Sequence, residues 1–180
     1  MIEPPAGRPT LVIISGPAGS GKTTLAHRLA LLIGCPALCR DEIKEGMIAA
    51  NSGFVSGPSD SLSLRTYNLF FAAIRLFLEH GVTHIAEAAF QHQNWARGLE
   101  SLRPLAELRI VRCQVASALA KARVARRGHE QSSRAAHDDS HHISGERFDQ
   151  IRLGAPTLDV DTTNGYRPEL GAVARFVRSP

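Results

Sequence analysis

The sequence predicts an α/β fold with three layers (α/β/α), in which a parallel sheet of about five strands lies between two layers of helices. Short apolar runs alternate along the chain with segments of helical periodicity, which is the pattern of repeated βα units. The first run, 11–14, is β-branched and nearly continuous, as expected of a parallel strand buried on both faces. The 180 residues are enough for such a sheet, so we expect a single domain over residues 1–180.

The apolar runs and the periodic segments between them place the individual elements. Strands are predicted near Thr10–Ser15, Ala37–Arg40, Val82–Glu87, Glu107–Cys113 and Thr157–Val160. Helices are predicted near Lys22–Ile33, Asp41–Ala50, Ser61–His80, Gln91–Leu102, Ala116–Arg127, Ser140–Leu153 and Pro168–Val177. The polar stretch at approximately 123–142 is predicted to form a small helical lid that closes over substrate.

The composition favours an anionic ligand and excludes several other classes. Lys and Arg number 21 against 17 Asp and Glu, and this net charge of +4 is too small and too dispersed to indicate duplex nucleic acid. The first residues lack the pattern of a signal peptide and no apolar stretch approaches a membrane span, so we expect a cytoplasmic protein with no membrane partner. The three cysteines are expected to be reduced packing thiols.

The strongest motif is a complete phosphate-binding loop, G-x-x-x-x-G-K-[ST], between the first predicted strand and the first predicted helix. Its backbone amides and the helix start favour phosphate oxygens, Lys22 reaches the terminal phosphates, and the Thr23 hydroxyl can join a Mg²⁺ shell. The predicted nucleotide-binding residues are Gly16, Ala18, Gly19, Ser20, Gly21, Lys22, Thr23 and Thr24. The motif predicts a P-loop NTPase fold with a nucleotide and Mg²⁺ as cofactors. We expect the nucleotide to be ATP and not GTP, since no Asn-Lys-x-Asp guanine signature is present.

Residues for the acceptor follow the next two strands. Asp41 comes directly after the second strand, where a carboxylate can accept the proton of an attacking hydroxyl, and Lys44 lies one helical turn further on. A helix cap explains Asp41 equally well, so spacing alone leaves both interpretations open. Glu87 closes the third strand and can order Mg²⁺ through water or bind the acceptor; we group it with Lys44 as acceptor-binding.

A cluster of arginines precedes the predicted lid. Arg123 and Arg127 are predicted to neutralise the transferring phosphoryl group, with Arg126 as the substitute nucleotide contact, although cations at a helix C-terminus are also favourable for dipole reasons alone. The histidine-rich stretch 137–142 is interpreted as a solvated surface, not a metal site. A zinc site through Cys35 and Cys39 is disfavoured because no second pair of Cys or His ligands follows at the spacing of known zinc sites to complete it.

Together these residues resemble small P-loop kinases, a group that includes polynucleotide 5′-hydroxyl kinases, chloramphenicol phosphotransferase and zeta-toxin-like kinases. The resemblance lies in the phosphate loop, the Arg40–Lys44 segment, the 87–90 segment, the arginine cluster and the 158–163 segment. It implies that Asp41 is the general base, that the basic residue three positions later contacts the acceptor, and that the lid arginines grip the donor phosphates. Lys44 stands where polynucleotide kinases carry Arg, and Glu87 stands where related kinases often have Asp.

The leading hypothesis is an ATP- and Mg²⁺-dependent phosphotransferase that moves the γ-phosphate to a hydroxyl of a small molecule such as an antibiotic, nucleoside or sugar. Aromatic residues that could stack bases are scarce, which makes a nucleic-acid acceptor the weaker choice. Two alternatives remain: a polynucleotide 5′-hydroxyl kinase, and a nucleotide-dependent regulatory ATPase or switch without an acceptor.

Overall fold

The computed structural model describes residues 7–50, 61–130 and 148–179. Within these ranges five parallel strands form one sheet in the order β2-β3-β1-β4-β5. The strands are β1 (Thr10–Ser15), β2 (Ala37–Cys39), β3 (His84–Glu87), β4 (Glu107–Gln114) and β5 (Thr157–Asp161). The parallel sheet predicted from the apolar runs is therefore confirmed.

Six helices are present in the described ranges. They are α1 (Lys22–Ile33), α2 (Arg40–Ala49), α3 (Ser61–Glu79), α4 (His92–Glu100), α5 (Ser117–Glu130) and α6 (Leu170–Arg178). None of these helices combines the length and the apolarity needed to cross a membrane.

The two faces of the sheet carry separate hydrophobic clusters, because successive strand side chains point to opposite sides. Leu11 and Ile13 of β1 join the cluster that α3 and α4 cover, while Val12 and Ile14 join the cluster formed with α1 and α6. All four side chains are fully buried, as the continuous apolar run predicted. The fold is thus the three-layer α/β/α arrangement expected from the sequence.

The strand register brings three chain segments together at the carboxyl ends of the strands. Ile14 of β1 and Cys39 of β2 both lie opposite Glu87, the last residue of β3. The loop after β1 and the start of α2 therefore meet at the carboxyl ends of the strands, which is where ligands gather in open parallel sheets.

The helix predicted at Ser140–Leu153 is wrong over its described part. Residues 148–153 are not helical: Gln150 forms an isolated antiparallel bridge with Gln91, and the backbone N–H of His92 donates to the carbonyl of Asp149. Ile151 and Leu153 are buried while Arg152 is exposed, so burial follows the two-residue period of extended chain. Of the predicted lid, 123–130 is the end of α5, and 131–142 lies outside the described residues.

Candidate active site

The phosphate loop links β1 to α1 and is packed tightly against α5. Gly19 adopts φ +76°, and a Cβ built on it would lie 2.3 Å from the carbonyl oxygen of Ala120. A side chain at this position would therefore both strain the backbone and collide with α5. Within the loop, the N–H of Ser20 donates to the carbonyl of Pro17 across 3.2 Å and closes the turn.

The start of α1 is built as an anion site. The helix begins at Lys22, and its N-cap is Gly21, so no side chain caps the first turn. The leading N–H groups of a helix have no acceptor within the helix itself, and the helix dipole adds partial positive charge at this end. The geometry therefore suits a bound phosphate.

The loop is held in place from the last strand. Thr162, which follows β5, is buried, and its Oγ1 lies 2.7 Å from the carbonyl oxygen of Ser20 and 3.1 Å from that of Gln114. Arg123 of α5 donates from Nη2 to the carbonyls of Thr162 at 2.8 Å and Thr163 at 3.1 Å, and from Nη1 to that of Gly19 at 3.4 Å. Arg123 therefore braces the loop against the segment after β5.

Glu87 is the central carboxylate of the site. Its side chain is 1% exposed; Oε2 accepts a hydrogen bond from the Thr23 hydroxyl at 3.1 Å, and the Lys22 Nζ lies 3.7 Å from Oε1. Burial raises the pKa of Glu87, and the nearby charge of Asp41 adds to this, while Lys22 and the Thr23 hydrogen bond oppose it. The sequence groups Glu87 with the acceptor residues; the structure places it against the two side chains of the phosphate loop, Lys22 and Thr23.

The donor set beside the loop fits a Mg²⁺ ion. Oε1 of Glu87 is buried and has no hydrogen-bond partner among the described residues, so this carboxylate oxygen is able to accept from a metal-bound water. The Thr23 hydroxyl already contacts the other oxygen of the same carboxylate. Oxygen ligands of this kind, with the balance supplied by water and phosphate, are what Mg²⁺ prefers.

The acceptor candidates lie on α2, directly after β2. Asp41 is in the first turn of α2, and its Oδ1 accepts from Arg40 Nη1 at 3.0 Å. Asp41 follows Cys39, the partner of Glu87 in the sheet, by two residues, and its charge contributes to the raised pKa of Glu87. Lys44 is buried, and its Nζ donates to the Ser63 hydroxyl at 2.9 Å, which links α2 to α3.

The other predicted site residues differ in exposure, and some lie outside the described part of the structure. Gly16 is buried, Ala18 is half-buried, and Thr24 is exposed in the first turn of α1. Arg126 is exposed on α5, while the side chain of Arg127 and the stretch 137–142 lie outside what the structure describes. Cys39 and Cys113 are buried, and Cys35 is half-buried.

Sequence reasoning misses the clamping role of Thr162. The polar residues after β5 are equally consistent with a loop that borders the nucleotide and with a plain turn. The sequence signal that could have indicated this role is the position of Thr162 directly after β5, because ligands bind at the carboxyl ends of parallel strands.

Comparison with solved structures identifies the fold as that of P-loop kinases. A candidate kinase from Chloroflexus aurantiacus superposes with a TM-score of 0.83 and 23% identity, over 96% of this chain and 98% of the other. The Mycobacterium tuberculosis APS kinase CysC, solved with AMPPNP and APS, has a TM-score of 0.68 and 16% identity, over 96% and 99%. A chain of the Pnkp1/Rnl/Hen1 RNA repair complex has a TM-score of 0.59 and 16% identity, over 80% of this chain and 48% of its own.

At these identities the likeness establishes the fold. No curated protein matches the sequence. The family model described as an AAA domain matches residues 11–152, which include the phosphate loop, Asp41, Glu87 and Arg123. The chain therefore belongs to the AAA domain family, and its fold is similar to that of the kinase structures named above.

Proposed function

We propose that the protein is an ATP- and Mg²⁺-dependent phosphotransferase that transfers the γ-phosphate to a hydroxyl of a small molecule, with Asp41 as the general base. The observation that carries the proposal is the position of Asp41 at the start of α2, two residues after Cys39, which pairs with Glu87 in the sheet. Glu87 in turn contacts Lys22 and Thr23 of the phosphate loop. A donor site and a carboxylate on its acceptor side are the two parts that phosphoryl transfer to an alcohol needs.

On the donor side, the loop amides and Lys22 hold the β- and γ-phosphates of ATP. Thr23 and Glu87 are the residues that would hold Mg²⁺, which neutralises charge on the phosphate oxygens. Arg123 keeps the loop in shape through its bond to the Gly19 carbonyl. Arg127 and Arg126 are the further arginines that we propose as contacts to the phosphates.

On the acceptor side, the substrate hydroxyl gives its proton to Asp41 as its oxygen bonds to the γ-phosphorus. The bond between that phosphorus and the β–γ bridging oxygen breaks, and ADP leaves. The contact between Arg40 and Asp41 at 3.0 Å orients the carboxylate for this task. Lys44 completes the acceptor side.

The burial and the hydrogen bond of Lys44 favour a small acceptor. The residue is 5% exposed and its ammonium donates to Ser63, so it is better suited to one polar group inside a pocket than to the open backbone of a polyanion. The APS kinase neighbour, solved with APS, is consistent with a small acceptor. The neighbour in an RNA repair complex is the observation that favours a polynucleotide 5′-hydroxyl acceptor as the second candidate.

The test is an acceptor screen with γ-labelled ATP and Mg²⁺, using small hydroxyl compounds and a 5′-hydroxyl oligonucleotide in parallel. We expect label on a small molecule, identified as a phosphomonoester by mass spectrometry. Label on the oligonucleotide, with a steep fall in rate as salt rises, would establish the second candidate instead. Hydrolysis of ATP without any phosphorylated product would point to a nucleotide-dependent switch.

A further inference from the structure

Three metal-binding side chains meet where β2 runs into α2. They are His27 of α1, Cys39 at the end of β2 and Glu42 in the first turn of α2, and their ligand atoms all lie within 4.8 Å of one another. His27 Nε2 is 2.7 Å from Glu42 Oε1 and 3.8 Å from Cys39 Sγ. Besides burial, the charges of the Glu42 and Glu87 carboxylates also act on the thiol and raise its pKa.

The fold itself creates this arrangement. Cys39 and Glu42 stand on the two sides of the junction where β2 turns directly into α2, a spacing of three residues that returns both side chains to one side. α1 packs beside this junction and presents His27 to it. The cluster therefore joins three separate elements at one point.

A surface ion pair between His27 and Glu42 is the simplest account of part of this geometry. It does not account for the approach of Cys39, which packs in the hydrophobic cluster with α1 and also brings its Sγ to 3.8 Å from the same imidazole nitrogen. Burial and the two carboxylates raise the pKa of this thiol. A thiol set against an imidazole and carboxylates is the combination of sulfur, nitrogen and oxygen ligands that zinc sites use.

The distances suit a tetrahedral ion after a small adjustment. Zinc bonds of about 2.0 to 2.3 Å place neighbouring tetrahedral ligand atoms about 3.3 to 3.6 Å apart. The His27–Cys39 separation of 3.8 Å is already close to that range. The His27–Glu42 contact must lengthen, and both side chains are about half exposed, so they are able to move.

We propose that His27 Nε2, Cys39 Sγ and the Glu42 carboxylate form a Zn²⁺ site whose fourth position is open to water. Binding converts the Cys39 thiol to a thiolate and releases its proton to solvent, and the ion replaces the His27–Glu42 hydrogen bond. The bound ion fixes α1 to the start of α2, one residue away from Asp41. The site is independent of the phosphotransferase proposal.

Cobalt provides a direct test, because a thiolate bound to Co²⁺ gives a charge-transfer absorption band in the near ultraviolet, whereas oxygen and nitrogen ligands do not. The reduced protein is titrated with Co²⁺ in the absence of nucleotide and acceptor, and Zn²⁺ is then added. We expect the band to saturate at one ion per chain and to vanish when Zn²⁺ displaces Co²⁺.

Variants locate the ligands. Cys39→Ser should abolish the band, whereas Cys35→Ser is the matched control and should retain it, since Cys35 is not in the cluster. His27→Ala and Glu42→Gln should each weaken Co²⁺ binding about tenfold or more. Both residues are exposed, so these two variants test the site even if Cys39→Ser fails to fold, as checked by circular dichroism.

A band that is absent from the wild-type protein, persists in Cys39→Ser or is lost in Cys35→Ser would overturn the proposal. So would unchanged Co²⁺ affinity in both folded variants, His27→Ala and Glu42→Gln. None of these outcomes depends on whether the protein phosphorylates an acceptor, so the two proposals fail separately.

Discussion

The Thr23 hydroxyl donates to Oε2 of Glu87 across 3.1 Å and joins the start of α1 to the end of β3. The same carboxylate lies 3.7 Å from the ammonium of Lys22. One buried acidic group thus contacts both side chains that we propose as the loop's nucleotide and metal contacts. A change at Glu87 is therefore expected to disturb both of them.

Replacing Glu87 with Gln keeps the size of the side chain and removes its charge. We expect kcat with saturating ATP and Mg²⁺ to fall about 10²- to 10³-fold, because charge-stabilising groups in a dry site have effects of that size. Steady-state kinetics over a range of Mg²⁺ concentrations measures the change. Glu79→Gln, at an exposed carboxylate at the end of α3, is the control and should be as active as wild type. Equal activity of the two variants would exclude a role for Glu87 at the metal.

Asp41→Asn tests the proposed general base. The amide cannot take the proton of the hydroxyl, so we expect kcat to fall about 10²- to 10⁴-fold while ATP affinity is nearly unchanged. Turnover and ATP titration on the same preparation separate the two effects. Asp159→Asn removes an aspartate whose partner is Arg112 on the neighbouring strand, and it should leave turnover intact. Normal turnover in Asp41→Asn would remove Asp41 from the mechanism.

Gly19→Ala tests the close approach of the phosphate loop to α5. Gly34→Ala is a matched control: Gly34 has φ +75° where Gly19 has +76°, but the position that its Cβ would take has no described residue within 4 Å apart from its immediate surroundings in the chain. The control should lose about 1 to 2 kcal/mol of unfolding free energy through backbone strain and keep ATP binding. Gly19→Ala adds the collision with Ala120 and should lose more stability together with ATP binding. Chemical denaturation and ATP titration give both quantities, and identical behaviour of the two variants would refute the argument.

We expect His84 to make the stability of the protein depend on pH. Its ring is fully buried, Nδ1 lies 2.9 Å from the Val82 carbonyl oxygen, and Nε2 has no hydrogen-bond partner within the described part of the chain. Burial lowers the pKa of His84 below its ordinary 6.5, so the unfolded chain binds a proton more readily than the folded one. Stability is therefore complete above pH 6.5 and is lost as the pH falls below it, by up to about 1.4 kcal/mol per pH unit.

Urea denaturation between pH 7 and pH 5 measures this slope. His84→Gln, which cannot titrate, should lower or remove the slope even if it shifts the overall stability. His80→Gln, at an exposed histidine of the same region, should leave the slope as it is in the wild-type protein. A slope that survives in His84→Gln would assign the effect to other groups.

Local patterns were sufficient for most of the fold. β1 and α1 have the predicted bounds, Thr10–Ser15 and Lys22–Ile33, because an apolar run, a glycine loop and helical spacing are all signals of short range. The segment 148–153 was missed because a bridge to Gln91, far away in the chain, decides its conformation. A local window never contains both partners of such a contact.

In the candidate site, too, features set by a local motif were predictable and contacts set by tertiary packing were not. The phosphate loop follows from its motif, whereas the contact of Glu87 with Thr23 depends on the register between β1 and β3, which no short motif encodes. The bonds from Arg123 to the backbone carbonyls of Thr162 and Thr163 depend on how α5 and the end of β5 pack together. The residue types were readable from the sequence, but their partners are decided by the assembled sheet.

The hydrogen bond from Thr162 to the Ser20 carbonyl also has a consequence for biosynthesis, because its two residues are 142 positions apart in the chain. The ribosome completes the phosphate loop early, yet the group that clamps it emerges only after β1 to β4 and β5 itself. A nascent chain that stops before β5 therefore carries the entire nucleotide motif without its clamp. The ability to bind ATP should appear late in synthesis, once the last strand has docked beside β4.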